Sequence, residues 1–206
     1  MIKLSTFKTV AFDLDDTLYK ERDFLISGMN YCINEFAPSM DVSKLQLEEN
    51  WVQIIAKESG ANIEEILESY RTHIPDITLS NGALQLLKSL MSKKVRLILI
   101  TDGRSTTQNN KIDALGIRGF FKQIIISEEI GSNKPDIANF QIDSSNECVY
   151  IADNPKKDFI TPNALGWLTI QVNDSGRNIH PQDITVKSSQ KAKLKVNQLK
   201  ELINYV

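Results

Sequence analysis

Short, continuously apolar segments alternate along most of the chain with segments of helical periodicity. A strand that is covered on both faces is apolar at nearly every position, whereas a half-exposed strand alternates apolar and polar residues. The predicted strands are 9–12, 95–100, 123–127, 148–152 and 168–172. Because helical segments separate them, the pattern predicts an α/β fold built on a parallel sheet.

Two helices are predicted in the gaps between these strands. The helix before the second strand has one apolar stripe, which consists of Ala83, Leu84, Leu87, Leu90 and Met91. A later helix carries Ile112 and Leu115. Gly116 is placed to end that helix, because glycine readily adopts the left-handed conformation found just beyond a helix C-terminus.

The connection between the first two strands breaks this alternation. It is about 80 residues long, although a parallel crossover needs only about a dozen. Three helices are predicted within it, from about residue 24 to residue 74. The first carries apolar residues at helical spacing, namely Leu25, Met29, Cys32, Ile33 and Phe36.

The other two predicted helices have recognisable ends. The second begins with a capping box of Ser43 and Gln46 and ends near Gly60. The third begins at Asn62 and stops before Pro75. Their apolar residues are Leu47, Trp51, Ile54 and Ile55 in the second helix and Ile63, Ile66, Leu67, Tyr70 and Ile74 in the third. The sequence therefore predicts an all-helical insertion at the end of the first strand.

The composition is typical of a soluble globular protein with one domain, or with one domain and an insertion. The chain has 206 residues, of which 41% are hydrophobic and 24% charged. With a net charge of −2 and no run rich in lysine and arginine, it lacks the signature of a nucleic-acid interface. The apolar segments are too short to span a bilayer, and the first ten residues lack the apolar core of a signal peptide.

The two cysteines give a further expectation about location. Cys32 and Cys148 do not have the spacing of a metal site, and Cys148 lies within a predicted strand. They are therefore expected to be buried free thiols, which are typical of the cytoplasm.

Three carboxylates directly follow the first predicted strand. Asp13, Asp15 and Asp16 lie within one short polar turn. Like charges at close range repel each other, so such a turn is costly unless a cation or a reaction uses it. The simpler explanation is an acidic loop that caps a helix, because aspartate is a good N-cap residue.

Polar residues also follow the next three predicted strands. They are Thr101, Asp102 and Gly103 after the second, Lys134 and Pro135 after the third, and Asp153, Asn154 and Asp158 after the fourth. Each has a simpler explanation, since Thr101 suits a helix N-cap, Lys134 a solvated loop, and Asp153 and Asp158 the cap of a turn. Ligands of open parallel sheets bind beyond the carboxyl ends of the strands. Taken together, these positions therefore favour one site with a hydroxyl, a lysine and several carboxylates.

These four segments resemble the four motifs of the haloacid dehalogenase (HAD)-like hydrolase superfamily, in particular its phosphatase branch. The matching segments are 13–17, 101–103, 134–135 and 153–158, and the resemblance extends from residue 9 to about residue 172. It implies a Rossmann-like parallel-sheet core formed by residues 1–19 and 80–206, with a small all-helical cap at residues 20–79. Ala152 departs from the glycine that is frequent in the family, but this change removes no ligand.

The resemblance implies a catalytic role for two of the aspartates. Asp13 would be the nucleophile that forms an aspartyl-phosphate, and Asp15 would act as general acid and then as general base. The implied cofactor is Mg²⁺, held by the carboxylates of Asp13 and Asp153 and by the main-chain carbonyl of Asp15.

The remaining motif residues would bind or orient the phosphate group. Thr101 and the backbone amides of Asp102 and Gly103 are expected to hold phosphate oxygens, while Lys134 offsets negative charge in the transition state. Asp158 would orient Lys134 or a metal-bound water.

The expected activity is magnesium-dependent hydrolysis of a small phosphorylated metabolite by a cytoplasmic monomer or homodimer, with no nucleic-acid or membrane partner. A phosphomutase, which would share all four motifs, and a catalytically silent HAD-like binding protein are the alternatives. A response-regulator receiver is disfavoured because its phosphorylated aspartate does not belong to an Asp-x-Asp pair after the first strand. A true dehalogenase is disfavoured because a halide leaving group needs no acid such as Asp15.

The sequence is less informative about substrate contacts and about the C-terminal segment. Candidate contacts are Lys20 and Arg22 near the predicted hinge, and Arg71 and His73 late in the third helix. For Arg71 and His73 a solvated helix end is the simpler explanation. In the C-terminal segment, Ile184 and Val186 suggest an edge strand and residues 199–206 a final helix, neither with an assigned function.

Overall fold

The computed structural model describes residues 2–40, 50–142, 147–182 and 185–206. Its six strands are β1 (Thr9–Phe12), β2 (Arg96–Thr101), β3 (Gln123–Ile126), β4 (Cys148–Ala152), β5 (Leu168–Val172) and β6 (Leu194–Val196). Its seven α-helices are α1 (Glu21–Phe36), α2 (Trp51–Ser59), α3 (Ile63–Thr72), α4 (Ala83–Ser92), α5 (Ser105–Ala114), α6 (Ser127–Ile130) and α7 (Ile160–Ala164). The predicted α/β fold is confirmed.

All strand pairs in the sheet are parallel, and the strand order is β3-β2-β1-β4-β5-β6. β1 is central and pairs with β2 on one side and with β4 on the other. The carboxyl ends of these three strands therefore lie side by side, which is the edge where open parallel sheets bind ligands.

The sheet is covered on both faces, which explains why its strands are continuously apolar. Phe12 and Leu99 point to one face and Ala11 and Ile98 to the other, because side chains alternate along a strand. On the first face they pack with Leu86, Leu87 and Leu90, and on the second with Phe140, Tyr150 and Trp167.

The apolar stripe of α4 differs from the predicted one. Leu84 and Met91 are exposed, at 41% and 50% of their surface, whereas Leu86 is completely buried. The buried residues are Ala83, Leu86, Leu87 and Leu90, which follow the i, i+3, i+4, i+7 spacing of one helix face. The prediction was wrong at two positions because it grouped apolar residues without fixing the phase of the helix.

The long connection after β1 contains α1, α2 and α3, which share an apolar cluster that includes Met29, Cys32, Ile55 and Ile66. The predicted ends are confirmed at Gly60, whose φ is +74°, and at Asn62, whose side chain accepts a hydrogen bond from Glu64. Ser43 and Gln46, the predicted capping box, lie outside the described residues. The division into a cap at 20–79 and a core stays a prediction.

The C-terminal segment pairs differently from the prediction. Val186 lies outside any strand, and the edge strand is β6, which continues the sheet from β5. Ile184 lies outside the described residues. The final helix is a 3₁₀-helix, Leu199–Tyr205, and its Leu199 and Leu202 are buried in the core beside the sheet. Of the described helices, none has the length and apolar character needed to cross a bilayer.

Candidate active site

The polar turn after β1 lies at the carboxyl edge of the sheet. The backbone N–H of Asp13 donates to the carbonyl of Ile151 over 2.9 Å, which extends the pairing of β1 with β4 by one residue. Asp16 adopts a positive φ of 56°, and its Oδ1 accepts a hydrogen bond from the backbone N–H of Glu21, the first residue of α1. Helix capping therefore explains Asp16 but neither Asp13 nor Asp15.

Three buried aspartates form an acidic group at this edge. One carboxylate oxygen from each of Asp13, Asp153 and Asp158 lies within 4.8 Å of the other two. Asn178 donates a hydrogen bond of 2.9 Å to Oδ2 of Asp153, which helps to fix that carboxylate. The Asp15 carboxylate is not part of this group, so only its main-chain carbonyl is compatible with the predicted metal ligation.

Lys134 provides the positive charge closest to this group. Its Nζ lies 2.7 Å from Oδ1 of Asp13 and 2.7 Å from Oδ1 of Asp158, and it donates to the Tyr150 hydroxyl over 3.1 Å. Its backbone N–H donates to Oδ1 of Asp102. Lys134 therefore contacts one aspartate from each of the other three predicted motifs. Its contact with Asp158 agrees with the prediction that Asp158 orients either Lys134 or a metal-bound water.

Burial and crowding disfavour the charged forms of two carboxyl groups in this site, those of Asp13 and Asp153. Burial raises the pKa of Asp13 to about 7, although Lys134 opposes the shift. Burial and the neighbouring charges of Asp158 and Asp13 raise the pKa of Asp153 well above its usual value. Burial would lower the pKa of Lys134, but Asp13 and Asp158 outweigh it and raise that pKa. Lys134 alone therefore does not offset the cost of ionising all three carboxylates, and a bound cation would favour their charged forms. Their oxygen donors fit Mg²⁺.

Asp15 points away from the acidic group and contacts three hydrogen-bond donors. Lys111 donates to Oδ1 over 2.7 Å, Gln108 donates to Oδ2 over 2.8 Å, and the Tyr19 hydroxyl also donates to Oδ1. Burial alone would raise the pKa of Asp15, but Lys111 and the hydrogen bonds together lower it. The structure thus separates Asp13 and Asp15, two residues apart in sequence, into two different environments.

The end of β2 supplies the predicted phosphate-binding residues. Thr101 is buried, and its Oγ1 accepts a hydrogen bond of 2.5 Å from Gln108. The Gly103 amide donates to Oγ of Ser127, so a phosphate contact of this amide would require that bond to be exchanged. Gly103 has a φ of +142°, and a β-carbon there would lie 3.0 Å from the Gln108 side chain, so glycine is favoured.

A cavity of about 40 Å³ opens beside these groups. Its lining residues are Asp13, Asp15, Asp16, Glu21, Asp102, Asp153, Asn154, Lys157 and His180. Lys157 donates to Oδ2 of Asp102 over 2.7 Å. Burial and the charges of Asp15 and Asp16 raise the pKa of Glu21 to about 8, although Lys111 opposes the shift. The cavity is small and lined mainly by carboxyl groups, which are suited to bind a cation.

Several of these residues were not predicted as site residues. Gln108 and Lys111 are polar, yet both are buried, and they lie three residues apart on one face of α5. That spacing beside buried Ile112 was a signal that sequence analysis could have used. Glu21 and His180 carried no comparable signal, because tertiary folding alone brings them to the cavity.

The candidate substrate contacts lie elsewhere. Arg71 and His73 do not line the 40 Å³ cavity. His73 is only 3% exposed, its Nδ1 lies 2.6 Å from the Tyr70 carbonyl, and its ring lies 4.9 Å from that of Phe24. Burial lowers the pKa of His73. A solvated helix end is therefore the wrong explanation for His73, which packs between α1 and α3.

The other two candidate contacts, Lys20 and Arg22, also lie outside the cavity lining. Lys20 donates to Oδ1 of Asn178, and Arg22 is exposed.

A family profile described as haloacid dehalogenase-like hydrolase matches residues 10–172. The chain belongs to the haloacid dehalogenase-like hydrolase family. Glyceraldehyde 3-phosphate phosphatase of Methanocaldococcus jannaschii is 27% identical over 97% of this chain and 96% of that protein. The pyrimidine 5′-nucleotidase YjjG of Escherichia coli is 26% identical over 62% of this chain and 65% of that protein.

A solved structure gives the same fold. The HAD-hydrolase YfnB from Bacillus subtilis has a TM-score of 0.71 and 21% identity, over 96% of this chain and 97% of that chain. The profile confirms the predicted HAD resemblance, and this structure confirms the predicted fold. Because curated HAD relatives are phosphatases, the comparisons support the predicted enzyme class, a hydrolase of phosphate monoesters.

Proposed function

We propose that this chain is a magnesium-dependent phosphatase that hydrolyses a small phosphorylated metabolite through an aspartyl-phosphate on Asp13. The observation that carries the proposal is the buried contact of Asp13 with Lys134, within the acidic group of Asp13, Asp153 and Asp158. Three buried carboxylates with one contacting lysine need a further cation to ionise fully, and such a group is suited to bind a cation and an anionic substrate together. The phosphatase names of the relatives agree with this assignment.

The carboxylates of Asp13 and Asp153 and the main-chain carbonyl of Asp15 would hold Mg²⁺. Few protein carboxylates together with substrate oxygens are the ligands that this cation prefers. When bound, Mg²⁺ neutralises negative charge on the phosphate group and so permits the approach of an anionic nucleophile. Asn178 keeps the Asp153 carboxylate in place for this role.

Asp13 would carry out the first chemical step. Its carboxylate oxygen forms a bond to phosphorus while the bond from phosphorus to the leaving-group oxygen breaks. Lys134, 2.7 Å from Asp13 Oδ1, offsets the negative charge that develops on the transferring group. Thr101 would hold a phosphate oxygen from the end of β2, beside the backbone amides of Asp102 and Gly103.

Asp15 would move the protons. The contacts with Lys111, Gln108 and Tyr19 favour its carboxylate form, so Asp15 takes up a proton in exchange for one of them before the first step. It then gives this proton to the leaving-group oxygen, and the resulting carboxylate takes a proton from the water that attacks phosphorus. The second step breaks the bond between phosphorus and Asp13, releases inorganic phosphate and restores both aspartates.

We infer that residues 20–79 form a cap that closes over this site and admits small substrates. The cap helices contact the core close to the site: Thr107 and Asn110 of α5 donate to the backbone carbonyls of Arg71 and Thr72 at the end of α3. Closure of such an insertion excludes bulk water from the reacting groups. Arg71 and His73 stay proposed substrate contacts, with Arg71 the one that retains exposed surface.

The test is phosphate release from a panel of phosphorylated metabolites, with Mg²⁺ and with EDTA. We expect release with Mg²⁺, none with EDTA and none from Asp13→Asn, because an amide is a poor nucleophile. Asp15→Asn should lose about 10²–10⁴-fold in turnover, the usual contribution of general acid–base catalysis. Analysis of the organic product separates hydrolysis from the phosphomutase alternative. Hydrolysis in EDTA, or unchanged turnover by folded Asp13→Asn, would contradict the proposal.

A further inference from the structure

One face of α5 points at the proposed proton-transfer residue. Lys111 and Gln108, three residues apart on this face, donate to different oxygens of the Asp15 carboxylate, over 2.7 and 2.8 Å. The Tyr19 hydroxyl donates to the oxygen that Lys111 contacts. Both oxygens of Asp15 are therefore engaged, so the plane and the direction of its carboxylate are fixed.

Lys111 is an unusual residue to find on this face. It is 3% exposed, and its Nζ lies 4.3 Å from the centre of the Phe24 ring in α1. Lysine is almost never fully buried unless its charge is paired, because desolvation of an ammonium group is costly. The pairing partner is Asp15. The Phe24 ring, which belongs to the helical insertion, stabilises the ammonium charge further through a cation–π interaction.

Gln108 connects two parts of the reaction site. The same Nε2 that donates to Asp15 also lies 2.5 Å from Oγ1 of Thr101, the residue proposed to hold phosphate. The Asp15 carboxylate is thereby fixed relative to the phosphate-binding end of β2. A displacement of about 1 Å of a catalytic group can cost about 10²-fold in rate.

We propose that Lys111, assisted by Gln108 and Tyr19, is a positioning residue that holds the Asp15 carboxylate in the direction required for proton transfer to the leaving-group oxygen. These contacts favour the ionised form, so one of them is exchanged for the proton while Asp15 is protonated. The inference rests on the proposed phosphatase activity and assigns a role that none of the four motifs contains. Lys111 contacts Asp15 and is not among the residues that line the 40 Å³ cavity, so we expect its effect to pass through Asp15.

The test compares two esters that differ in their need for an acid. An alkyl phosphate has a leaving group that must be protonated, whereas 4-nitrophenyl phosphate has an acidic leaving group that departs without help. The quantity kcat/KM reports the steps up to departure of that group. Lys111→Met should lower kcat/KM for the alkyl ester by about 10- to 100-fold and for the aryl ester by less than about 3-fold. Lys88→Met, on the exposed surface of α4, is the control.

A second comparison separates positioning from a general structural effect. In an Asp15→Asn background, Lys111→Met should cause no further loss with the alkyl ester, because residues that act as a unit are not additive. If Lys111→Met does not fold, Gln108→Leu should give the same ester selectivity and the same lack of additivity. Loss of Lys111 also removes a charge that lowers the pKa of Asp15, so an unchanged or raised kcat/KM for the alkyl ester would overturn the inference. Equal losses on both esters, or full additivity with Asp15→Asn, would overturn it as well. Absence of phosphate release from both esters by the wild type would overturn the proposed function, and the inference with it.

Discussion

Nζ of Lys134 lies 2.7 Å from Oδ1 of Asp13, although 121 residues separate the two in the chain. Both side chains are buried, so solvent screens this contact little. Lys134 lies in the segment after α6, and its backbone N–H donates a hydrogen bond to Asp102 at the end of β2. This bond holds the segment at the carboxyl edge of the sheet, where the lysine side chain reaches the end of β1. The pair is thus fixed by contacts among three predicted motifs.

Replacement of this lysine should affect both stability and activity. Lys134→Met leaves a group of buried carboxylates without its nearest cation, and breaking a buried pair typically costs about 3–5 kcal/mol in unfolding free energy. Turnover should fall by about 10²–10³-fold, as for the loss of one donor to a developing negative charge. Urea unfolding in EDTA and initial rates with Mg²⁺ measure the two effects. Exposed Lys57→Met is the control, and wild-type turnover by folded Lys134→Met would contradict the role.

Magnesium should stabilise the folded chain through the acidic group. A ligand that binds only the native state at about 100 times its Kd adds about 2.7 kcal/mol to the unfolding free energy. The thermal midpoint of the wild type should therefore rise with Mg²⁺ and return with EDTA. Asp153→Asn should show little of this rise, whereas Asp76→Asn, at an exposed position, should respond as the wild type does. An equal rise in both variants would place the bound ion elsewhere.

Gly28 is expected to be required for the packing of α1 on α3. A β-carbon at this position would lie 2.3 Å from Cδ2 of Tyr70 and 3.0 Å from the His73 ring. Gly28→Ala should therefore lower the unfolding free energy by about 1–3 kcal/mol, the usual cost of overpacking. At Gly119 a β-carbon would meet nothing within 4 Å, so Gly119→Ala should change it by less than about 0.5 kcal/mol. Chemical denaturation distinguishes the two, and equal stability would show that α3 can shift freely.

The thiols of Cys32 and Cys148 should be unreactive in the native state. Both are buried, and burial together with the charge of Glu35 raises the pKa of Cys32 to about 12. Only the thiolate is nucleophilic, so at pH 8 a disulfide reagent should modify neither cysteine until denaturant is added. Titration of Cys32 with the reagent in buffer alone would mean that α1 and α3 separate readily.

The sequence predicted the sheet well because its strands are buried on both faces. Such strands are continuously apolar, and β1, β4 and β5 begin and end where the pattern placed them. The motif residues could also be placed, because strand ends in a parallel sheet share one edge. Edge strand β6 was missed, since two of its three residues are exposed and its segment carries no apolar run.

The contacts of Asp15 could not be predicted, because they depend on how helices dock. Lys111 comes from α5, Tyr19 from the turn that leads into the insertion, and Phe24 from α1. The spacing of Gln108 and Lys111 indicates only that the two share a face of α5, and nothing in local periodicity indicates that these elements meet. The same holds for His73, whose burial follows from the packing of α3 against α1 and not from the polarity of its own segment.

The most direct test of the proposed mechanism is to trap a phosphoryl group on Asp13. Asp15→Asn should still accept phosphate from 4-nitrophenyl phosphate, which needs no acid, but should hydrolyse the product slowly, because it lacks the base that activates water. Acid quenching followed by peptide mass spectrometry should find one phosphoryl group on Asp13, and none in an Asp13→Asn, Asp15→Asn double variant. A phosphoryl group on another residue, or steady turnover with no modified Asp13 in either the wild type or Asp15→Asn, would contradict the account.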